Sequence, residues 1–286
     1  MAAESSAEGA GGGEDAPLTF RDIAIVGGGC YGSFYAGQLV RARERGRVTY
    51  RRLLIVDRNP ACQASAALPT GSTLVVQEWS DFFDGWLASE AASGDAIVPS
   101  PLMPHLMFDW LLRRARVRWP ERGVTAAPVP VEARTPYDMP APDGVRYVSH
   151  ADWLCPTHCI EPARCPVIRA PRTWEMSDTL GEMSRRLERT GPVAGPVTLR
   201  CRHRAFGVGM FDADEVVAAD ALIAEAGAAR SQVRVLVGTV SSCHGAVGML
   251  SIGASDLPAP SILYAGSAEE WAAAPTPRTL GKIGKG

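Results

Sequence analysis

Asp22-Ile-Ala-Ile-Val-Gly27-Gly28-Gly29-Cys30-Tyr31-Gly32 is the stretch on which the fold turns. An apolar run enters a cluster of glycines, and a helical stretch follows from about Cys30 to Arg45. Strand, tight turn and helix in that order make the first half of a strand–helix–strand unit. Its second half is the apolar run Arg52–Asp57, which ends in a carboxylate. Working outward, Ser72–Gln77 and Ala96–Val98 read as third and fourth strands. Asp81–Ser89 reads as a helix with Phe82, Phe83, Trp86 and Leu87 on one side, and His105–Arg116 as another with Leu106, Trp110 and Leu111 at helical spacing. Continuous apolar strands alternating with helices predict a parallel sheet covered on both faces.

The turn satisfies G-x-G-x-x-G in the context that gives this pattern its meaning: after a buried strand, at the opening of a helix, with Asp57 closing the next strand. On these residues the chain resembles the Rossmann-type NAD(P)/FAD-binding superfamily, by motif over Asp22–Arg58 and by alternation as far as Arg118. The resemblance implies an α/β fold, a Rossmann-like doubly wound, mostly parallel sheet, here joined to a Cys-rich loop and an α+β second half. It also implies roles for single residues. Gly27 permits the tight turn, Gly29 lets the backbone approach a pyrophosphate, and Gly32 lets the helix pack close to the sheet. The amides of Cys30 and Tyr31 at the helix start hold phosphate charge. Asp57 accepts hydrogen bonds from ribose hydroxyls, although the interval from Gly32 is longer than usual because RERGRVTYRR lengthens the connection. Asp57 repels a 2′-phosphate and Arg58 beside it attracts one, so NAD and NADP both remain open. FAD shares the motif, but flavoproteins usually carry a late apolar strand ending in Gly-Asp. The nearest counterpart, Ser261–Gly266, continues with Ser267. The balance favours a nicotinamide dinucleotide.

Composition bounds the rest. The chain has 286 residues, 46% hydrophobic and 21% charged, with a formal net charge of −2. That is ordinary for a globular protein and gives no footprint for nucleic acid. All basic residues except Lys282 and Lys285 are arginine, as codon bias in a GC-rich genome would produce. Apolar runs are too short to cross a bilayer, and the N-terminus lacks the pattern of a secretory signal. A cytoplasmic protein is expected, with no nucleic-acid or membrane partner. The expected organisation is a disordered tail over 1–17, a dinucleotide-binding unit over 18–118, a Pro-rich connection over 119–144, a second half over 145–274 and a flexible tail over 275–286. In the second half, a helix is expected near Met176–Thr190 and another over Asp212–Ala228, with strands at VTLRCRH, FGVGMF, Arg234–Val240 and Ser261–Ala265. Strands of this half either join the first sheet or form a small α+β domain.

Cys155-Pro-Thr-His158-Cys159-Ile-Glu-Pro-Ala-Arg-Cys165-Pro166 gathers three of the seven cysteines and one of the five histidines in a Pro-rich loop. In a chain without an export signal, clustered thiols and imidazole read as metal ligands before they read as disulfides. Cys155, His158, Cys159 and Cys165 form a local set suited to Zn²⁺. An iron–sulfur cluster is the rival, supported by the prolines that follow Cys155 and Cys165 but not by the spacing. Adjacent His158 and Cys159 reach one ion with difficulty, so His150, Cys201 or Cys243 are alternative fourth ligands.

Five further residues are candidates for chemistry. His105 follows the fourth strand and could serve as acid or base in hydride transfer, against the plain alternative of packing on Phe108 or Trp110. Cys243 and His244 follow the strand Arg234–Val240, although neighbours in an extended chain point apart. Cys201 and His203, two apart, share a face and could line one pocket. The expected function is an NAD(P)-binding oxidoreductase with a bound zinc or iron–sulfur centre and a small-molecule or protein redox partner. A non-catalytic dinucleotide sensor or adaptor with a structural metal, and a flavin or iron–sulfur electron-transfer protein, are the competing expectations.

Overall fold

The computed structural model describes residues 16–88, 94–156 and 159–254. Most of the expected N-terminal tail, the whole C-terminal tail, the strand Ser261–Ala265 and His158 lie outside the described residues.

The first sheet begins with β1 (Leu18–Val26), β2 (Val48–Asp57), β3 (Ser72–Val76) and β4 (Ala96–Val98), all parallel, in the order β3-β2-β1-β4. Between them run α1 (Cys30–Glu44), the short α2 (Gln63–Ala66) and α3 (Trp79–Ala88). The period of two sorts the side chains of β1 and β2. Ile23, Ile25, Leu53 and Ile55 pack with Ala36, Leu39 and Ala42 of α1, while Ala24, Val26, Leu54 and Val56 face the opposite layer. Both faces are covered, so these strands read as unbroken apolar runs.

After β4 come α4 (Leu106–Arg118), β5 (Thr125–Ala127), β6 (Tyr137–Pro140), β7 (Arg146–Ser149), α5 (Met176–Glu188) and β8 (Val193–Arg200). The series ends with β9 (Arg202–Ala205), β10 (Val208–Asp212), α6 (Ala213–Ala228), β11 (Val233–Val240) and β12 (His244–Ile252). The second half does both things the sequence allowed. Strands β9 and β10 extend the first sheet, antiparallel, beside β4. The others form a second sheet in the order β6-β7-β12-β11-β8, with β5 also paired to β12 and only β8 and β11 parallel. The fold is therefore α/β with two mixed sheets, in place of one mostly parallel sheet. The reason is local: β9–β10 and β11–β12 are joined by turns too short for anything but antiparallel pairing. The region 119–144, expected to be irregular, supplies β5 and β6.

A layer of helices lies between the sheets. Buried side chains of α3, α4 and α6, among them Phe83, Leu111, Val216 and Ile223, pack with β1 and β2 on one side. On the other they meet Val197, Leu199, Val235, Val237, Leu250 and Ile252 of the second sheet. Trp119, 2% exposed, sits in this layer where α6 passes it, and a Cβ at Gly227 would lie 2.2 Å from its ring. Helix α5 closes the outer face of the second sheet with Met176, Leu180, Met183 and Leu187. Among the described residues no helix is long and apolar enough to cross a membrane.

One charged cluster is buried at the start of β1. Asp22 is fully buried; the Arg51 guanidinium bonds both of its carboxylate oxygens and Arg52 bonds one, while Asp95 accepts the Asp22 amide at 2.9 Å and Arg21 at 2.6 Å. Burial alone would raise the Asp22 carboxyl, but the hydrogen bonds and charges of Arg52 and Arg51 outweigh it and hold the group down at about 2. Its unfolded value is 3.8, so this stabilisation is full above about pH 4 and is lost as the pH falls towards 2. Asp22→Asn should cost about 2 kcal/mol at pH 7, a buried-pair figure reduced because both arginines are half-exposed. Urea melts at pH 7 and pH 2.5 should show that difference shrinking in acid; a difference independent of pH would refute the ionic account.

Candidate functional site

The glycine turn is built by contacts that can be read one residue at a time. Gly27 has φ +90 and donates its amide to Val56 at 2.8 Å, which ties the end of β1 to β2. A Cβ on Gly28 would stand 2.4 Å from Cys62 Sγ, and one on Gly32 would stand 1.7 Å from the Gly27 carbonyl oxygen. Those three positions are explained by the chain itself. Gly29 is not: its φ is −76 and a Cβ there would meet nothing within 4 Å. Gly29, Cys30 and Tyr31 are exposed at the N-terminus of α1, which no side chain caps. The Asp57 carboxylate accepts the amides of Gly28 at 2.6 Å and Asn59 at 2.8 Å, while Arg58 points away to Glu78 at 3.1 Å.

One face of α1 leads from this turn into a cavity. Tyr31, Phe34, Tyr35 and Gln38 follow the i, i+3, i+4, i+7 pattern. The Tyr31 and Tyr35 rings stack at 6.4 Å, and the Phe34 and Tyr35 rings meet edge-on at 5.8 Å. Phe34, Tyr35 and Gln38 form one wall of a cavity of about 440 Å³, within the range of small-molecule sites. The segment after β4 (Pro99, Ser100, Pro101, Pro104) forms a second wall. A third comes from β9, β10 and the β11–β12 hairpin, including Cys201, His203, Thr239 and His244. The cavity thus opens by the C-terminal side of β4, next to β1, where the strand order changes direction. Cys201, between β8 and β9, is where the chain passes from one sheet to the other, and its amide bonds Val240 at 2.8 Å.

Cys201 and His203 do share this pocket, as their spacing suggests. Burial pushes the Cys201 thiol up to about 12, so it stays protonated. Burial also lowers His203, with Glu161 opposing the effect and His244 adding to it, which keeps the imidazole neutral at pH 7.

Beside this cavity lies a hollow of about 10 Å³ walled by the cysteine-rich loop and the β11–β12 turn. Cys155, Cys159, Cys165 and Cys243 all line it; of the three alternative fourth ligands, His150 and Cys201 do not. Cys159 and His244 border both spaces. The loop is fastened by Glu161, in the left-handed conformation at φ 52, whose carboxylate accepts the Ser241 hydroxyl at 2.6 Å and the Ser242 amide at 2.7 Å. Burial raises the Cys155 thiol, and the neighbouring Cys159 and Cys165 add to it. Among the described residues no group of three or more His, Cys, Asp or Glu is placed so that it could hold a metal ion.

Cys243 and His244 part company, as neighbours on an extended chain do. Cys243 is buried, its Sγ receives the Trp174 indole N–H at 3.3 Å, and burial holds its thiol up at about 11. The His244 Nδ1 pairs with the Ser149 hydroxyl at 2.9 Å, and its Nε2 lies 3.8 Å from Cys155 Sγ and 3.9 Å from Glu161. A thiol–imidazole contact is present, therefore, but with Cys155. Sequence spacing offered no hint of it.

His105 sits in the core. Its Nδ1 pairs with Thr239 Oγ1 at 3.1 Å, its ring stacks on Phe108 at 4.8 Å, and its Nε2 finds no partner among the described residues. It does not line the cavity itself, although its partner Thr239 does. The packing on Phe108 that stands as the alternative to an acid–base role is present, and β12 crosses above it so closely that a Cβ at Gly248 would stand 2.8 Å from its Nε2.

A family model described as "Uncharacterized protein, C-terminal domain" (AF_1314_C) matches residues 107–253, more than half of the chain, and the protein belongs to that family. The match runs from α4 to the end of β12 and takes in the cysteine-rich loop, but not the glycine turn. No curated protein and no solved structure matches the chain.

Burial drives His105 down from 6.5 to about 3. The unfolded chain binds this proton below about pH 6.5 and the folded chain does not until about 3, so stability falls as the pH drops through that window. In His105→Phe the melting temperature should fall less between pH 7 and pH 4 than in the parent. Equal slopes would mean that the imidazole titrates as freely folded as unfolded.

Proposed function

We propose that this member of the AF_1314_C family is a dinucleotide-binding oxidoreductase with a bound metal, built on a Rossmann-like parallel core. The pyrophosphate of NAD or NADP, with FAD as the flavin alternative, would lie against Gly27–Gly32. The cavity would take the redox-active ring and a small substrate, and the cysteine-rich loop would hold zinc or an iron–sulfur centre.

The observation that carries this reading is the company the cavity keeps. Its walls include the helix opened by the glycine turn and, through Cys159 and Ile160, the cysteine-rich loop, two features far apart in sequence. It also lies beside the carboxyl end of β4, where strand order reverses, the position at which open α/β sheets bind their ligands. Gly29 adds support, because packing within the chain gives no reason for a glycine there while an approaching phosphate does. Asp57 already accepts two amides, but a carboxylate offers about four lone-pair directions, which leaves two for ribose hydroxyls.

A nicotinamide ring, when bound, supplies hydride transfer. The chain's own contribution would be to seat a flat ring against the aromatic face of α1 and to move a proton through the neutral imidazole of His203. Cys201 and Cys243, held protonated by burial, would not act as nucleophiles.

Fluorescence titration with NADH and NADPH, and an absorbance titration with FAD, test the reading. The parent should bind at least one of the three. Gly29→Val should lose that binding while its melting temperature stays within a few degrees, because the added side chain enters open space. Gly32→Ala should fail to fold, since its Cβ would strike the Gly27 carbonyl. The reading falls if the parent binds none of the three, or if Gly29→Val binds as the parent does.

A further inference from the structure

We propose that Cys155, Cys159, Cys165 and Cys243 together hold one zinc ion, in a closed four-sulfur site that clamps the cysteine-rich loop onto the β11–β12 turn. This rests on the metal-binding half of the function proposed above and is independent of the dinucleotide half.

Four of the seven cysteines meet at one hollow, although one of them is far from the others in sequence. Three come from the loop and the fourth from the turn between β11 and β12. A two-part set of this kind is how closed tetrahedral zinc sites are usually assembled. The partners of the sulfurs suit thiolates. The Glu161 amide donates to Cys159 Sγ at 3.4 Å, and the Trp174 indole donates to Cys243 Sγ at 3.3 Å. Donors of this kind spread the negative charge that metal-bound sulfur carries. Arg172 also lines the hollow and places a positive charge beside what would be a doubly negative centre.

Space decides between the metals. A hollow of about 10 Å³ has room for roughly a single atom, whereas an iron–sulfur cluster needs several atoms' volume. Zinc takes about 2.3 Å from each sulfur, so the four side chains must turn inward from their present places to close around it. The backbone is already set: Glu161 pins the loop to Ser241 and Ser242, and the Cys165 amide bonds Ala170 at 2.9 Å. His244 also borders the hollow, its Nε2 3.8 Å from Cys155 Sγ, but its Nδ1 is anchored by Ser149 and the four thiols complete a tetrahedral set without it.

The full chain, purified from zinc-supplemented cells, should carry one zinc per molecule by elemental analysis. Exchange for Co²⁺ should give the intense visible bands of a tetrahedral cobalt thiolate. Cys243→Ser should weaken zinc binding at least about tenfold. Cys243→His, which can keep four ligands, should bind cobalt with bands shifted as one sulfur becomes nitrogen, a result that misfolding cannot imitate. Cys201→Ser, His158→Ala and His244→Ala should leave the metal content unchanged. Iron with acid-labile sulfide in place of zinc, no metal at all, an unshifted cobalt spectrum in Cys243→His, or zinc lost in His158→Ala but kept in Cys243→Ser would each overturn the assignment. Zinc binding without dinucleotide binding would leave it standing and remove only the other half of the functional reading.

Discussion

The N-terminal half of helix α4 is apolar on most sides, with Leu106, Met107, Phe108, Trp110, Leu111 and Leu112 all buried, while its C-terminal half buries Ala115 and carries Arg113, Arg114, Arg116 and Arg118. An apolar band that wide needs an apolar surface on more than one side. Together with α3 and α6 it supplies the layer on which both sheets lean, and a single core runs from Ala24 of β1 to Ile252 of β12. Each fully buried side chain of Leu or Ile size contributes roughly 1.5–3 kcal/mol, so the layer outweighs any single polar contact in the molecule. It also forces the chain to pass from sheet to sheet at the edge of the layer, and Cys201 marks that crossing.

The space that looks most like a binding site opens at this crossing, because strands that part to serve different sheets leave a gap between them. Its walls follow from the topology. Helix α1 arrives from β1, the Pro-rich segment from β4, and the hairpin end of β11 and β12 from the second sheet. The cysteine-rich loop closes one side and is fastened through Glu161, whose left-handed backbone turns the chain between Cys159 and Cys165. Burial holds Cys201 and His203, which face the cavity, in their neutral forms, which suits the admission of a flat, weakly polar ring.

Much of the first sheet could be read in the chain. Apolar runs and helical spacing between Asp22 and Arg118 locate the observed elements to within a few residues, because strands buried on both faces need no partner to be recognised. The second sheet was far less legible. Strand β12 carries Gly245 and Gly248, which interrupt its apolar run in the sequence, although it pairs with β11, β7 and β5. Strands of three or four residues, such as β5 and β6, are too short to show a period. The site divides the same way. Cys201 and His203 were legible as a pair because a strand puts alternate residues on one face. The meeting of Cys155 with His244, and of Cys243 with the loop cysteines, depends on a fold-back over many residues, and no local pattern encodes that. The place of His105 after a strand is legible in the chain, while its burial depends on β12 and is not.

Gly227 gives the helix layer its thickness. Where α6 crosses Trp119, a single added carbon would press on the indole at 2.2 Å and wedge the helix outward. Any residue larger than glycine here would have to displace a fully packed indole, so substitution at this one contact is close to forbidden whatever happens on the surface of the helix.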